Sequence, residues 1–213
     1  MQKNNITTGE NFDSLITVLM NYDIHKDVLS ETPHRRFLDL ALVPVYLNGI
    51  SDEKGIRLLT EKEDSHSSGN DEFLFKLGDQ NYKRMMGLKV FSLNDFVKST
   101  NNSLFEEDGP DILFEKELDD IYIITNKYFL FGARIMYDKD FMFKVGEFLK
   151  GDFYIIPSSV NEILVFSTKF AESIDYLKCI IKEVNESCLE STDLILSDNL
   201  YRYYCDKHEI CIE

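Results

Sequence analysis

The spacing most suggestive of chemistry lies near the C-terminus. Cys205, His208 and Cys211 recur at every third residue, with Cys179 and Cys188 upstream. Thiolate and imidazole ligands of this kind can hold zinc tetrahedrally. A closed structural site is normally built on a tight Cys-x2-Cys knuckle, and this chain has none. Cys179 falls in the middle of a helical pattern, an ordinary place for a buried thiol. The expectation is therefore no metal, with the cysteines buried or on edge strands. His25 and His34 lack carboxylates at ligand spacing and are given surface or structural roles. Pro157-Ser158-Ser159 has no histidine base in regular structure beside it, so a turn closing a hairpin is the simpler reading. No Gly-rich phosphate loop, HExxH, GxSxG elbow or kinase set is present. The 38 acidic residues guarantee close carboxylate pairs in any fold, so their abundance marks no acid–base site. No residue is assigned a catalytic role, no cofactor is implied, and the reading is a protein that is not an enzyme.

Charge is more informative. The chain carries 38 Asp plus Glu against 23 Lys plus Arg, a net of −15, which argues against nucleic acid or an anionic membrane as a direct ligand. Residues 1–100 hold 15 acids against 12 basic residues, and residues 101–213 hold 23 against 11. The densest run comprises Glu106, Glu107, Asp108, Asp111, Glu115, Glu117, Asp119 and Asp120, eight carboxylates against one lysine, Lys116. Such a run is either a solvated linker or a negative surface on which a basic partner docks. The opposite sign is concentrated in His34-Arg35-Arg36, a second candidate surface, which packing alone does not require. It either neutralises the acidic second half across an interface or belongs to a binding surface.

The elements that must carry these groups follow from patterning. A length of 213 residues allows one large domain or two small ones, and 44% hydrophobic residues with 29% charged excludes overall disorder. No apolar stretch approaches a membrane span, the N-terminus lacks an apolar signal segment, and four cysteines suit reduced thiols in a cytoplasm. Thr8 as N-cap, with Phe12, Leu15, Ile16, Leu19 and Met20 on one face, predicts a helix. Residues 37–47 are apolar but contain Pro44, which predicts an edge or bulged strand; 56–60 returns beside it, and 61–71 is a polar loop. A helix is expected over 71–86, with Phe73, Leu77 and Met85 inward and Gly87 as C-cap. A short strand at 88–91 and a helical turn at 93–98 follow.

The second half reads as strand 121–124, strand 129–137, helix 139–150, then strand 153–156, strand 161–166, helix 170–186, and a last hairpin at 200–205 and 209–212. Ile121-Tyr122-Ile123-Ile124 and Phe153-Tyr154-Ile155-Ile156 start 32 residues apart, which suggests a ββα-ββα repeat. The expected class is α+β, an antiparallel sheet with helices on one face. The expected division is an N-terminal lobe at 1–100, an acidic linker at 101–118 and a C-terminal lobe at 119–213.

Five phrases carry a family resemblance: Pro33-His34-Arg35-Arg36-Phe37-Leu38-Asp39-Leu40-Ala41; Asn81-Tyr82-Lys83-Arg84; Ile124-Thr125-Asn126-Lys127; Gly151-Asp152-Phe153-Tyr154-Ile155-Ile156-Pro157-Ser158-Ser159-Val160-Asn161-Glu162; and Leu196-Ser197-Asp198-Asn199-Leu200-Tyr201-Arg202-Tyr203. In these the chain resembles the domain-of-unknown-function family numbered 5688. The resemblance implies a protein of anaerobic Gram-positive bacteria, often carried on mobile elements, and it brings no catalytic residues. With the acidity, it gives the expected function: a non-enzymatic, cytoplasmic inhibitor of the anti-CRISPR or anti-restriction kind. Its expected partner is a basic protein such as a nucleic-acid-binding defence enzyme, whose phosphate-contacting cations its carboxylates would occupy. The alternative is a housekeeping interaction or scaffold module.

Overall fold

Leu15–Asn21 is a strand, β1, and not the second half of a helix; only Phe12–Ser14, a 3-10 turn, precedes it. Ile16-Thr17-Val18 is a β-branched run that favours extended backbone. Leu15 to Leu19 are all buried in succession, so the apolar positions that fit a helical face fit a strand covered on both sides equally well. The computed structural model describes residues 12–47, 56–58, 71–93, 121–157, 159–170, 173–187 and 194–213. The expected cap Thr8, most of the 61–71 loop and the 93–98 turn, and the 101–118 linker lie outside these residues.

After a single helical turn, α1 (Lys26–Leu29), the chain forms β2 (Arg35–Phe37), β3 (Leu40–Leu47) and β4 (Ile56–Leu58). These complete a first antiparallel sheet in the order β1-β3-β2, with β4 also on β3. β3 is thus the central strand and not an edge. It tolerates Pro44 because β2 pairs with Leu40–Leu42 and β4 with Val45–Leu47, so the missing N–H falls between the two short strands. Helix α2 (Asp71–Met86) lies along β1 and ends at Gly87, whose φ of 62° makes it the left-handed cap expected there. Its buried side chains are Leu74, Phe75, Asn81, Tyr82 and Met86, whereas Phe73 is 46% exposed. The face differs from the expected one because its centre is Gly78, where a Cβ would stand 3.1 Å from the backbone carbonyl carbon of Ile16. Asn81 donates to the carbonyls of Phe12 and Leu15, so α2 also ties down the start of β1.

The strands of the second sheet are β5 (Lys89–Ser92), β6 (Tyr122–Thr125), β7 (Phe153–Ile156), β8 (Ile163–Ser167), β9 (Tyr201–Tyr204) and β10 (Glu209–Ile212). The sheet is antiparallel throughout, with the order β10-β9-β7-β8-β6-β5. β5 comes from the first hundred residues and pairs with β6, so this sheet draws on both sides of the acidic run. Residues 129–137, expected as a strand, instead hold a 3-10 helix, Gly132–Tyr137. A Cβ on Gly132 would lie 2.2 Å from the carbonyl of Asn161, so the chain passes there only as glycine. The first of the two units therefore has a 3-10 helix where the second has β8. Both units retain a helix, α3 (Lys139–Leu149) and α4 (Ile174–Ser187).

The class is α+β, but the two helices lie on opposite faces of the second sheet. Val145 and Leu149 of α3 share a core with Phe153, Ile155 and Tyr203 and with Leu19, Leu40 and Leu42 of the first sheet. Ile181 of α4 packs with Tyr154, Phe166 and Leu200, which alternate to the other side. Among the described residues no helix is long and apolar enough to cross a membrane.

Candidate functional site

All eight carboxylates of the acidic run, Glu106, Glu107, Asp108, Asp111, Glu115, Glu117, Asp119 and Asp120, lie outside the described residues. The second candidate surface, His34-Arg35-Arg36, is described. Its groups are engaged close to home. Arg35 pairs with Glu72 of α2 and lies 4.1 Å over the Phe75 ring. Arg36 donates from Nε to the carbonyl of Leu38 at 2.8 Å and lies 3.5 Å over the Tyr22 ring. His34 donates from Nδ1 to the carbonyl of Thr32 at 2.9 Å. All three are thus engaged by groups of the first hundred residues, Arg35 by the first sheet's own helix.

The C-terminal cysteines do not converge on a metal geometry. Among the described residues no group of three His, Cys, Asp or Glu side chains is placed to hold an ion, and Cys188 lies outside them. Cys179 is exposed on α4 and not buried as expected. Burial first, then the carboxylates of Asp152 and Asp206, push the Cys205 thiol up, away from the thiolate that ligation or nucleophilic attack requires. Ser159 donates to Glu162 at 2.7 Å and accepts from the backbone N–H of Asn161, the hydrogen bonding of a turn.

Two polar networks, each reaching into the core, hold further titratable side chains. The Arg134 guanidinium, 1% exposed, pairs with Asp79, donates from Nε to Thr17 Oγ1 at 3.0 Å, and lies 5.0 Å over the Tyr82 ring. Lys83 joins this group through Asp138 at 2.9 Å and Asp79 at 3.5 Å. Asp138 also accepts the N–H of Phe141 and so caps α3. Burial pushes its carboxyl up, but the Lys83 ammonium and the Phe141 N–H outweigh this and hold it below the ordinary carboxylate range. A depressed carboxyl stabilises the fold above its unfolded value and loses that contribution as the pH falls through the folded one. Asp138→Ala is thus expected to cost about 1–2 kcal/mol at neutral pH. The gap from the unaltered protein should narrow below about pH 4, as urea midpoints measured from pH 7 to 3 would show.

In the second network Asn126 donates to the carbonyl of Leu130 at 2.6 Å and accepts from the N–H groups of Tyr128 and Leu130. It also donates to the Tyr82 hydroxyl, which burial pushes up to about 12. These bonds hold a turn in which Phe129 and Phe131 sit at φ 52° and 53°. Thr125 Oγ1 donates to the carbonyl of Asn161 at 2.7 Å, and Asn161 Oδ1 accepts from the N–H of Phe131 at 3.1 Å, so the phrases that carry the family resemblance at 81–84, 124–127 and 151–162 meet here as structural ties.

A cleft of about 310 Å³ lies between the two sheets. It is bounded by Arg36 and Phe37 of β2, by Met136, Tyr137, Lys139 and Met142 around the start of α3, and by the β9–β10 hairpin. Its members are spread over residues 36–210 and carry no local signal. Two of them were singled out in the sequence for other reasons, Arg36 for its charge and His208 for its place between two cysteines.

The sequence model of a family of unknown function, DUF5688, matches residues 3–205 of the chain. No curated protein and no solved structure matches it.

Proposed function

We propose, from the premise that the chain belongs to the family of unknown function DUF5688, that it is a non-enzymatic binding protein that inhibits a basic partner. The partner is of the kind that uses Lys and Arg to hold nucleic acid, as a CRISPR or restriction enzyme does, and the site of action is the cytoplasm. The observation that carries this reading is the charge distribution: 23 acids against 11 basic residues over 101–213, with eight of the acids within 106–120. The described polar side chains support it indirectly. Arg134, Asp79, Lys83, Asp138 and Asn126 bond to one another and to backbone as ties between elements, and Ser159 closes a turn. An array of carboxylates would compete for cations that otherwise contact phosphates, and the complex would weaken with salt.

Capture of partners from a host lysate at low and high salt tests the reading. The captured protein should be basic, and its retention should fall as salt rises. The decisive variant neutralises Glu106, Glu107, Asp108, Asp111, Glu115 and Glu117 together, to Gln, Asn or Ser. Removing one carboxylate at a wet rim costs on the order of 1 kcal/mol or less, so the combined variant should bind at least about tenfold more weakly, chiefly through slower association. Unchanged affinity in a folded variant rejects the segment as the docking surface and moves the reading to an ordinary interaction module.

A further inference from the structure

The cleft between the sheets is built differently from the rest of this acidic molecule. Its floor is apolar: Met136 and Met142, each 1% exposed, belong to the main core. One wall is the edge-to-face pair of Phe37 and Tyr137, with ring centroids 5.2 Å apart. The pair joins β2 of the first sheet to the 3-10 helix. The rim carries two fixed cations, Arg36 and Lys139, against one carboxylate, Glu209. Lys139 is exposed and has no ion-pair or hydrogen-bond partner among the described residues. Across from it the Tyr203 hydroxyl and His208 Nδ1 share a hydrogen bond at 3.3 Å. In a chain with 38 acids and 23 basic residues, an excess of cations at the mouth of a cleft floored by methionine runs against the composition.

We infer that this cleft binds a small amphipathic carboxylate, an aromatic or branched apolar body bearing one carboxylate. The apolar body would lie on the two methionines and the Phe37–Tyr137 wall, and the carboxylate would meet Arg36 and Lys139 at the rim. Methionine suits such a floor because its unbranched thioether adapts to the guest and packs well on rings. Size agrees: a closed apolar cavity of about 150 Å³ takes a benzene-sized guest, so about 310 Å³ accommodates a ring, a short chain and a carboxylate. A neutral guest would gain the apolar packing but not the charge-assisted hydrogen bonds. A dianion would face Glu209.

The test uses the full chain labelled with carbon-13 at the methionine methyls, titrated with 3-phenylpropionate and, separately, with its neutral amide. Phenylpropionate should shift the Met136 and Met142 methyl signals saturably while those of Met20 and Met85 stay in place. The amide should bind about tenfold more weakly, the value of one charge-assisted hydrogen bond. Arg36→Gln with Lys139→Gln should reduce carboxylate affinity by at least about tenfold and leave the amide unchanged. Both side chains are exposed, so the fold should survive. If it does not, the acid–amide comparison on the unaltered chain decides alone. No saturable shift at millimolar ligand, equal binding of acid and amide, or shifts spread over all methionines would each overturn the inference.

Discussion

Asp79→Ala is expected to lower stability by about 3–5 kcal/mol, the range for leaving a buried charge without its partner. Arg134→Met is expected to cost clearly less. The difference follows from where each member of the pair sits. The Arg134 side chain is 1% exposed, and its Nη1 already lacks a hydrogen-bond partner among the described residues, so losing Asp79 strands a buried guanidinium. Asp79 is 37% exposed and lies 3.5 Å from Lys83, so losing Arg134 leaves a carboxylate that water and a lysine can still satisfy. Methionine also keeps most of the buried volume against Tyr82 and Tyr137. The double variant should therefore be more stable than Asp79→Ala alone, a non-additivity that urea unfolding of all three proteins measures. If Arg134→Met proves the more damaging single change, the pair is held by the arginine's packing and hydrogen bonds and not by charge compensation.

Arg134 also shows what the sequence could and could not disclose. An arginine inside Gly132–Tyr137 gives no local indication of being among the most buried side chains in the molecule. Its partners come from β1 and α2, more than fifty residues away. Features set by short-range chemistry were legible: the helix ending at Gly87, strand Phe153–Ile156, and the hairpin turning before Glu209. Period failed where burial is continuous, as at Leu15–Leu19, because a strand covered on both faces has no alternation to read. It failed again at Gly78 and Gly132, where the backbone is approached most closely at residues with no side chain. The 129–137 stretch looked like a strand because its apolar residues are dense, yet the backbone there is bent by Asn126 and by two positive φ angles. The cleft was least legible of all. Its residues come from three segments that only the docking of the first sheet against the β9–β10 hairpin brings together.

That docking should depend on Asp39 more than on any apolar packing at the same place. Asp39 follows β2 and was visible in the sequence only as one acid in an apolar stretch. Its carboxylate accepts hydrogen bonds from Ser197 Oγ at 2.6 Å, Asn199 Nδ2 at 2.9 Å and the Tyr201 hydroxyl at 2.6 Å. Its backbone carbonyl accepts from Tyr22. Asn21 adds a bond from Nδ2 to the carbonyl of Leu196. The first and last phrases of the family resemblance, 33–41 and 196–203, are thus joined through one side chain. Burial, and then the neighbouring Asp39 carboxylate, push the Tyr201 hydroxyl upward, which keeps it protonated and donating. Asp39→Ala removes an acceptor from three donors, and Ser197 and Tyr201 are wholly buried. Hydrogen bonds to a charged group contribute about 1.5–3 kcal/mol each, and they are shared here on one carboxylate, so a total of about 3–6 kcal/mol is expected. Asp39→Asn keeps one acceptor oxygen but turns an N–H₂ toward a donor, so about half that loss is expected. Urea midpoints give the magnitudes, and amide exchange gives the location. Protection should fall first at residues 196–201 and at β2, while α4, on the opposite face of the second sheet, should change only with global stability. A loss of protection spread evenly over both sheets would mean that Asp39 supports the whole fold and is not the local tie that holds the cleft's two sides together.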